Sequence, residues 1–328
     1  MKIAVDAWGG DFAPREILQG IKSALSPDCV LVVVGAREKL LPLYEELEMR
    51  EQDFPIEDAS QVIEMHEHPA DAVRRKPDAT ICRGIKLLAR KEIDAFVSAG
   101  NSGAVMASAW LNLKGLAEIE RPAITALIPN VKSYTVLLDV GANVDCKPKH
   151  ILHFGIMGAE YAKIVLDILS PRVGILSIGE EEGKGNELTK AAYQLFRERQ
   201  NLLNFEFVGN VEGQNIVDGK ADVVVCDGFT GNALLKFGEG LIEFIASSLG
   251  REFQEPHLQE RLSMFWRKLD RSEYGGAPLL GVEGVCLVCH GKSKARDIRS
   301  AIFRARELVE KGILHKIKER LSKLGFEK

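Results

Sequence analysis

The chain has 328 residues, of which 46% are hydrophobic and 27% charged, enough to bury a large α/β core or two lobes. Its 43 basic and 47 acidic side chains leave a net charge of −4, so no global field draws it to nucleic acid. No apolar stretch approaches the roughly 20 residues that a bilayer span requires, and the opening MKIAVDAWGGD has no apolar core or cleavage site of an export signal, so folding in the cytoplasm is expected.

In chain order, β-type runs alternate with helical patterns. A strand at Lys2–Asp6 leads into Ala-Trp-Gly-Gly-Asp-Phe-Ala-Pro, where Asp6 and Asp11 flank two glycines and Pro14 opens a helix reaching Leu25. Strand Cys29–Val34 and helix Arg37–Glu48 follow, then strand Ile93–Ser98, which runs into Gly100-Asn-Ser-Gly103. Strands Ile124–Ile128 and Thr135–Asp139 face each other across a short Pro-Asn turn as an antiparallel hairpin, with Asp139-Val-Gly-Ala-Asn143 beyond. Helix Lys149–Leu169, strand Val173–Ile178, the loop Gly179-Glu-Glu-Glu-Gly-Lys184-Gly-Asn186 and helix Asn186–Gln200 come next. The chain continues with strands Phe205–Val208 and Asp222–Cys226, helix Gly231–Leu249, and strand Val285–Cys289 ending in His290-Gly-Lys292-Ser293. Such alternation predicts a mainly parallel sheet flanked by helices, a three-layer, Rossmann-like α/β fold that binds ligands at the carboxyl ends of its strands. No low-complexity linker interrupts it. The reading is one unit over 1–328, open to two lobes (1–120 with 275–328, and 121–250), and a projecting amphipathic helical segment at 251–274.

One corner occurs twice. Residues 97–106 read VSAGNSGAVM and residues 225–234 read VCDGFTGNAL, with Asp94, Gly100 and Gly103 in register with Asp222, Gly228 and Gly231. Each corner offers backbone N–H groups at a helix N-terminus with no Cβ in the way, which suits an anion such as phosphate. A tight turn that binds nothing uses the same residues, and for one isolated corner that reading wins. Two in register, among six strand ends that carry glycine beside Asp, Asn, Lys, His or a hydroxyl, favour a shared site.

Other motifs fail on spacing. The loop Gly179 to Gly183 is one residue short of a P-loop, and the Gly291-Lys292-Ser293 run has Cys286 where the upstream glycine belongs. Ala104 replaces the last glycine of G-x-S-x-G, so Ser102 sits on no nucleophile elbow. Cys286-Leu-Val-Cys289-His290 matches haem attachment literally but lies on a strand, in a chain expected to stay in the cytoplasm, without a second cysteine pair for zinc. The six cysteines read as reduced and mostly buried, and His66-Glu-His68 lacks further ligands nearby. No metal and no cofactor is expected.

Six runs in order, D-A-W-G-G-D-x-A-P, S-A-G-N-S-G-A, L-L-D-V-G-A-N-V-D, K-G-N-E-L, A-D-V-V-V-x-D-G-F-T-G-N and Y-G-G-A-P-L-L-G, resemble the phosphate acyltransferase (PlsX) family of bacterial phospholipid synthesis over nearly the whole chain. The resemblance implies reversible transfer of a fatty acyl group from acyl carrier protein to inorganic phosphate. It also implies a homodimer with a fold similar to isocitrate and isopropylmalate dehydrogenases and phosphate acetyltransferases, whose acyl phosphate feeds a membrane glycerol-3-phosphate acyltransferase. Trp8 stands where the family usually has Met, Ser102 where Thr is usual, and Lys292 in a segment commonly H-G-x-S. Trp8 adds bulk beside Asp6, Gly9 and Gly10 that bears on the acyl pocket.

Phosphate is already a nucleophile near neutral pH, so the chemistry asks for anion positioning and oxyanion donors rather than a catalytic triad. Asn101, Ser102 and Gly103 are the expected cradle, with Lys184 as cationic clamp and Asn186 beside it. Thr230, Gly231 and Asn232 are expected as oxyanion or pantetheine contacts. Asp6, Gly9, Gly10, Asp139, Asn143 and Asp227 shape the binding loops, and His290 is the candidate proton donor to the departing thiolate. Arg74, Arg75, Lys76, Arg83, Lys292, Lys294, Arg296, Arg299 and Arg304 form a basic set for the acidic carrier protein. Leu258, Leu262, Phe265, Trp266 and Leu269 share one helical face with basic flanks, suiting either an anionic membrane surface or a dimer partner, so the expected place is cytoplasmic, peripheral to the inner face of the cell membrane. A nicotinamide-dependent decarboxylating dehydrogenase on a similar scaffold and a non-catalytic carrier-binding scaffold remain as readings from other classes.

Overall fold

The structure, a computed structural model, describes residues 1–116, 118–252 and 275–323. All but the first two residues of the segment expected to project at 251–274, including Leu258, Leu262, Phe265, Trp266 and Leu269, lie outside the described residues. The chain opens with β1 (Lys2–Asp6), α1 (Arg15–Ser23), β2 (Val30–Gly35), α2 (Arg37–Glu46), β3 (Ile56–Asp58), α3 (Pro69–Arg75), α4 (Thr80–Ala89), β4 (Ala95–Ser98) and α5 (Ser102–Leu113). There follow β5 (Ala123–Pro129), β6 (Tyr134–Leu138), α6 (Pro148–Val165), β7 (Arg172–Leu176), α7 (Glu187–Arg199), β8 (Glu206–Val211), α8 (Gln214–Asp218), β9 (Val223–Val225) and α9 (Gly228–Glu252). It closes with β10 (Ala277–Leu280), β11 (Val285–Val288), α10 (Ala295–Glu310) and α11 (Ile313–Lys323).

Two compact units result, Met1–Pro122 with Tyr274–Lys328, and Ala123–Glu273. In the first, the strand order is β3-β2-β1-β4-β11-β10; all neighbours pair parallel except β10 with β11, which is antiparallel. In the second, the order is β5-β6-β9-β7-β8, parallel except for the β5–β6 hairpin. The hairpin is where the sequence places it. Every residue of β4, β9 and β11 is buried, as expected of strands covered by helices on both faces. Helix α4 comes close to the sheet because Gly84 faces Phe96, where a Cβ would lie 2.0 Å from the ring.

Each unit therefore repeats one plan: an antiparallel hairpin at one edge, then the corner strand (β4 or β9), then a further parallel strand. The echo in the sequence is an echo in topology. The sequence reading names no element between residues 49 and 92, where β3, α3 and α4 lie, and it misses β10. Three residues in β3 and the Pro278 in β10 are too little and too broken for periodicity to register.

Candidate functional site

In the first unit, β1, β4 and β11 run parallel and deliver three loops to one edge. Asp6, at the end of β1, is 1% exposed. Its carboxylate accepts the Ser98 hydroxyl at 2.7 Å and the Trp8 N–H at 3.1 Å. Ser98 in turn accepts the Gly100 N–H at 3.0 Å. Burial raises the Asp6 pKa, against hydrogen bonds from Thr80, Ser98 and the Trp8 and Gly9 amides that hold it down. Gly9 is required by contact, since a Cβ there would lie 2.5 Å from the Gly100 nitrogen, and Gly10 by its φ of +100°. Ser98 and Thr80 escape the sequence reading. A hydroxyl two residues before a corner glycine is the one signal that pointed to Ser98.

Asn101 caps α5, accepting the Ala104 N–H at 3.0 Å, while its Nδ2 donates to the main-chain oxygens of Glu64, Met65 and Glu67 at 3.2, 3.3 and 3.2 Å. Its amide is fully used in pinning that loop, so the side chain expected in the anion cradle is structural. Ser102 and Gly103 differ: neither backbone N–H, nor the exposed Ser102 hydroxyl, has a partner among the described residues. The first turn of α5 thus presents two amides and a hydroxyl outward, with a neutral cap behind them. Across the same edge, Gly291 O accepts the Asp11 N–H at 2.7 Å. Exposed His290 accepts the Lys292 N–H on Nδ1 at 3.1 Å, which places the proton of the neutral ring on Nε2. Trp8 turns away to Gly35, where a Cβ would stand 2.7 Å from the indole nitrogen, and the Lys39 ammonium lies 5.8 Å over its ring.

In the second unit the buried carboxylate under the corner comes from the hairpin strand instead. Asp139, 0% exposed, accepts N–H groups from Ile124, Ala142 and Asn143 at 3.0, 3.1 and 2.6 Å, and the Asn143 amide at 2.9 Å. Burial raises its pKa, with the Ala142 amide and Asn143 side chain opposing. Asn143 O accepts the Gly228 N–H at 2.7 Å, so Asp139 and Asn143 build the corner rather than face a ligand. Asp227 accepts both the N–H and the hydroxyl of Thr230, at 2.9 and 2.8 Å, and its carbonyl accepts the Gly231 N–H at 3.0 Å. A hydroxyl has one proton to give; Thr230 and Gly231 are therefore spent as donors, contrary to their expected role as oxyanion contacts. Asn232 is exposed beside Gly141 and its amide has no partner among the described residues.

The loop after β7 carries Lys184, exposed and in no ion pair among the described residues. Asn186 caps α7 by accepting the Thr189 N–H at 2.9 Å, which commits its side-chain oxygen to the helix. The expected basic set is partly neutralised: Lys76 pairs with Glu67, Arg83 with Glu57 and Asp78, and Arg304 with Glu307. All six cysteines are free, Cys146 half-buried and the others buried. Among the described residues no group of three or more His, Cys, Asp or Glu is arranged for a metal, and no helix is long and apolar enough to cross a membrane.

This is an α/β protein whose fold is shared with known phosphotransacetylases. It is similar to a phosphotransacetylase from Streptococcus pyogenes (TM-score 0.61, 18% identity, 98% of this chain and 94% of that one). It is also similar to a 4-hydroxythreonine-4-phosphate dehydrogenase from Klebsiella pneumoniae (TM-score 0.52, 15% identity, 94% and 99%). At such identities the likeness is one of fold. Sequence relatives reach further. The model of the family described as fatty acid synthesis protein matches residues 1–316. Proteins named phosphate acyltransferase are 45% identical in Pelotomaculum thermopropionicum, over 99% of this chain and 96% of the relative, and 46% identical in Syntrophotalea carbinolica, over 99% and 94%. The chain belongs to this family and is an acyltransferase; the dehydrogenase and scaffold readings fall away.

Proposed function

We propose that the protein transfers a fatty acyl group reversibly from acyl carrier protein to inorganic phosphate, giving acyl phosphate for phospholipid synthesis. The observation that carries this reading is the contrast between the two helix N-termini. At α5 a neutral asparagine caps the helix and leaves the amides of Ser102 and Gly103 and the Ser102 hydroxyl uncommitted. At α9 the Asp227 carboxylate already takes the anion's place. Phosphate therefore binds at α5, where amides hold it without removing its charge.

A phosphate oxygen attacks the thioester carbon, negative charge collects on the carbonyl oxygen, and the carbon–sulfur bond then breaks. His290 supplies the Nε2 proton to the departing pantetheine thiolate. Supplying acyl carrier protein loaded with palmitate, with and without phosphate, and trapping product with hydroxylamine tests the reading. Hydroxamate formed only with phosphate supports it, and hydroxamate formed equally without phosphate overturns it.

Two accompanying proposals concern partners. Phe237, Leu241, Phe244 and Ile245 are exposed on one face of α9, spaced for a single stripe, which supports a homodimer. The apolar and basic residues of 254–274 support reversible attachment to an anionic membrane surface, where the acyl phosphate is handed on to a membrane glycerol-3-phosphate acyltransferase. Docking of the acidic carrier protein falls to Lys292, Lys294 and Arg74, which make no ion pair among the described residues.

A further inference from the structure

Within the first unit, the α5 corner and the His290 loop are neighbours. Gly10 lies between them, since a Cβ there would stand 3.3 Å from the Ala99 Cβ and 2.8 Å from the Gly291 carbonyl oxygen. A further loop of the same unit, residues 64–67, joins both. It is a tight turn, in which the Glu67 N–H donates to the Glu64 carbonyl at 3.2 Å. The Glu67 carboxylate accepts the Glu64 N–H at 2.8 Å and the Lys76 ammonium at 2.5 Å. Asn101, 6% exposed, fixes this turn to the α5 corner by donating from Nδ2 to the carbonyls of Glu64, Met65 and Glu67.

Met65 and His66 occupy the tip of that turn. Turn tips favour Gly, Pro, Asn, Asp and Ser, yet this one holds up a methionine that is 51% exposed. Its side chain is placed, because Cε lies 3.4 Å from where a Cβ on Gly291 would stand. The thioether thus reaches from the corner that holds its main chain to the residue after His290. Gly291 has no positive φ, and a Cβ there would make only ordinary contacts, at 3.4 Å with Met65 and 3.6 Å with Asp11. Neither backbone conformation nor crowding demands the glycine, and its bare face extends the apolar strip that the thioether begins. Trp8, expected to bear on the acyl pocket, packs at Gly35 instead.

We infer that Met65 is a specificity-determining contact for the acyl chain, its thioether carrying the methylenes next to the thioester. This rests on the reading that places phosphate at α5 and the departing thiolate at His290. The bond that forms and the bond that breaks share the thioester carbon, which lies between those two groups. The alkyl chain starts at that carbon, and Met65 is the side chain that spans the same gap. A thioether is apolar, unbranched and polarizable, so it follows a flexible chain closely. Held on a braced turn, it loses little freedom when the chain arrives.

The experiment compares Met65→Gln, Met65→Leu and wild type with palmitoyl carrier protein and phosphate, and measures inhibition by carrier protein without an acyl group. Met65→Gln is expected to lower kcat/KM for the palmitoyl donor about tenfold, the worth of roughly two buried methylenes. The phosphate KM, the inhibition constant of the bare carrier protein and the melting temperature are expected to stay unchanged. Met65→Leu, which conserves apolar volume, is expected to stay within about threefold of wild type. An unchanged kcat/KM in Met65→Gln, or equal losses in Gln and Leu variants, overturns the inference alone. Equal weakening of inhibition by the bare carrier protein also overturns it, because the contact is then with the carrier and not the chain. A wild type that makes no acyl phosphate overturns the reading of the reaction and the inference with it.

Discussion

Gly231→Ala is expected to undo the second corner. A Cβ at Gly231 would lie 1.9 Å from the Asp139 carbonyl oxygen, against a floor of 3.0 Å below which real Cβ contacts essentially never fall. The obstacle is backbone, so the corner or the 139–143 loop must shift by about an ångström, which alone costs about 1–3 kcal/mol. The loop that has to move is the one Asp139 holds through the amides of Ile124, Ala142 and Asn143. Loss of even one such bond to a buried carboxylate adds about 1–3 kcal/mol. The sum, about 2–6 kcal/mol, is a large share of the 5–15 kcal/mol typical of a domain. Gly103, its counterpart in the first corner, would bring a Cβ under 3.0 Å only from the Pro69 ring, at 2.6 Å, so Gly103→Ala is expected to cost about 1–3 kcal/mol. Urea unfolding followed by circular dichroism measures both. Should Gly231→Ala unfold within about 1 kcal/mol of wild type, or should Gly103→Ala prove the more damaging, the close packing of the second corner is not what holds it.

Asn232→Ala, which removes an exposed amide without a partner, should leave the melting temperature unchanged and lower kcat about 10²-fold if the amide serves the oxyanion; a change under about threefold removes it from that role. Burial raises the Asp139 pKa above its ordinary value of 3.8, so in the window from 3.8 up to the folded value the folded state holds more protons than the unfolded one, and stability falls as pH rises. Asp139→Asn should abolish that slope, and pH-dependent unfolding in which the variant keeps it, or wild type slopes the other way, contradicts the assignment. Phe237→Glu with Phe244→Glu should convert the proposed dimer to monomers in light scattering; a monomeric wild type contradicts the dimer, and a variant that stays dimeric places the interface elsewhere.

Much of the architecture was legible in the sequence because the strands are apolar runs closed by glycine-rich corners, and a corner repeated in register can be read twice. What stayed hidden was which polar groups the fold consumes. Asn101, Asn143 and Thr230 look like ligand contacts by residue type, yet each spends its hydrogen bonds on caps and loops, and Asn186 gives its side-chain oxygen to a cap, because Asn, Asp and Thr favour local backbone bonding in the positions where sites form. The same ambiguity hid Ser98, whose partner Asp6 is 92 residues distant in sequence. Ser102, Lys184 and Asn232 keep their candidacy for the opposite reason: nothing among the described residues occupies them.

The most direct measurement follows both products at once in the purified protein with palmitoyl carrier protein and radiolabelled phosphate. One free carrier thiol for each labelled acyl phosphate, with neither formed when phosphate is omitted, is the predicted result. Thiol released without phosphate, or without label entering an acyl phosphate, contradicts acyl transfer to phosphate.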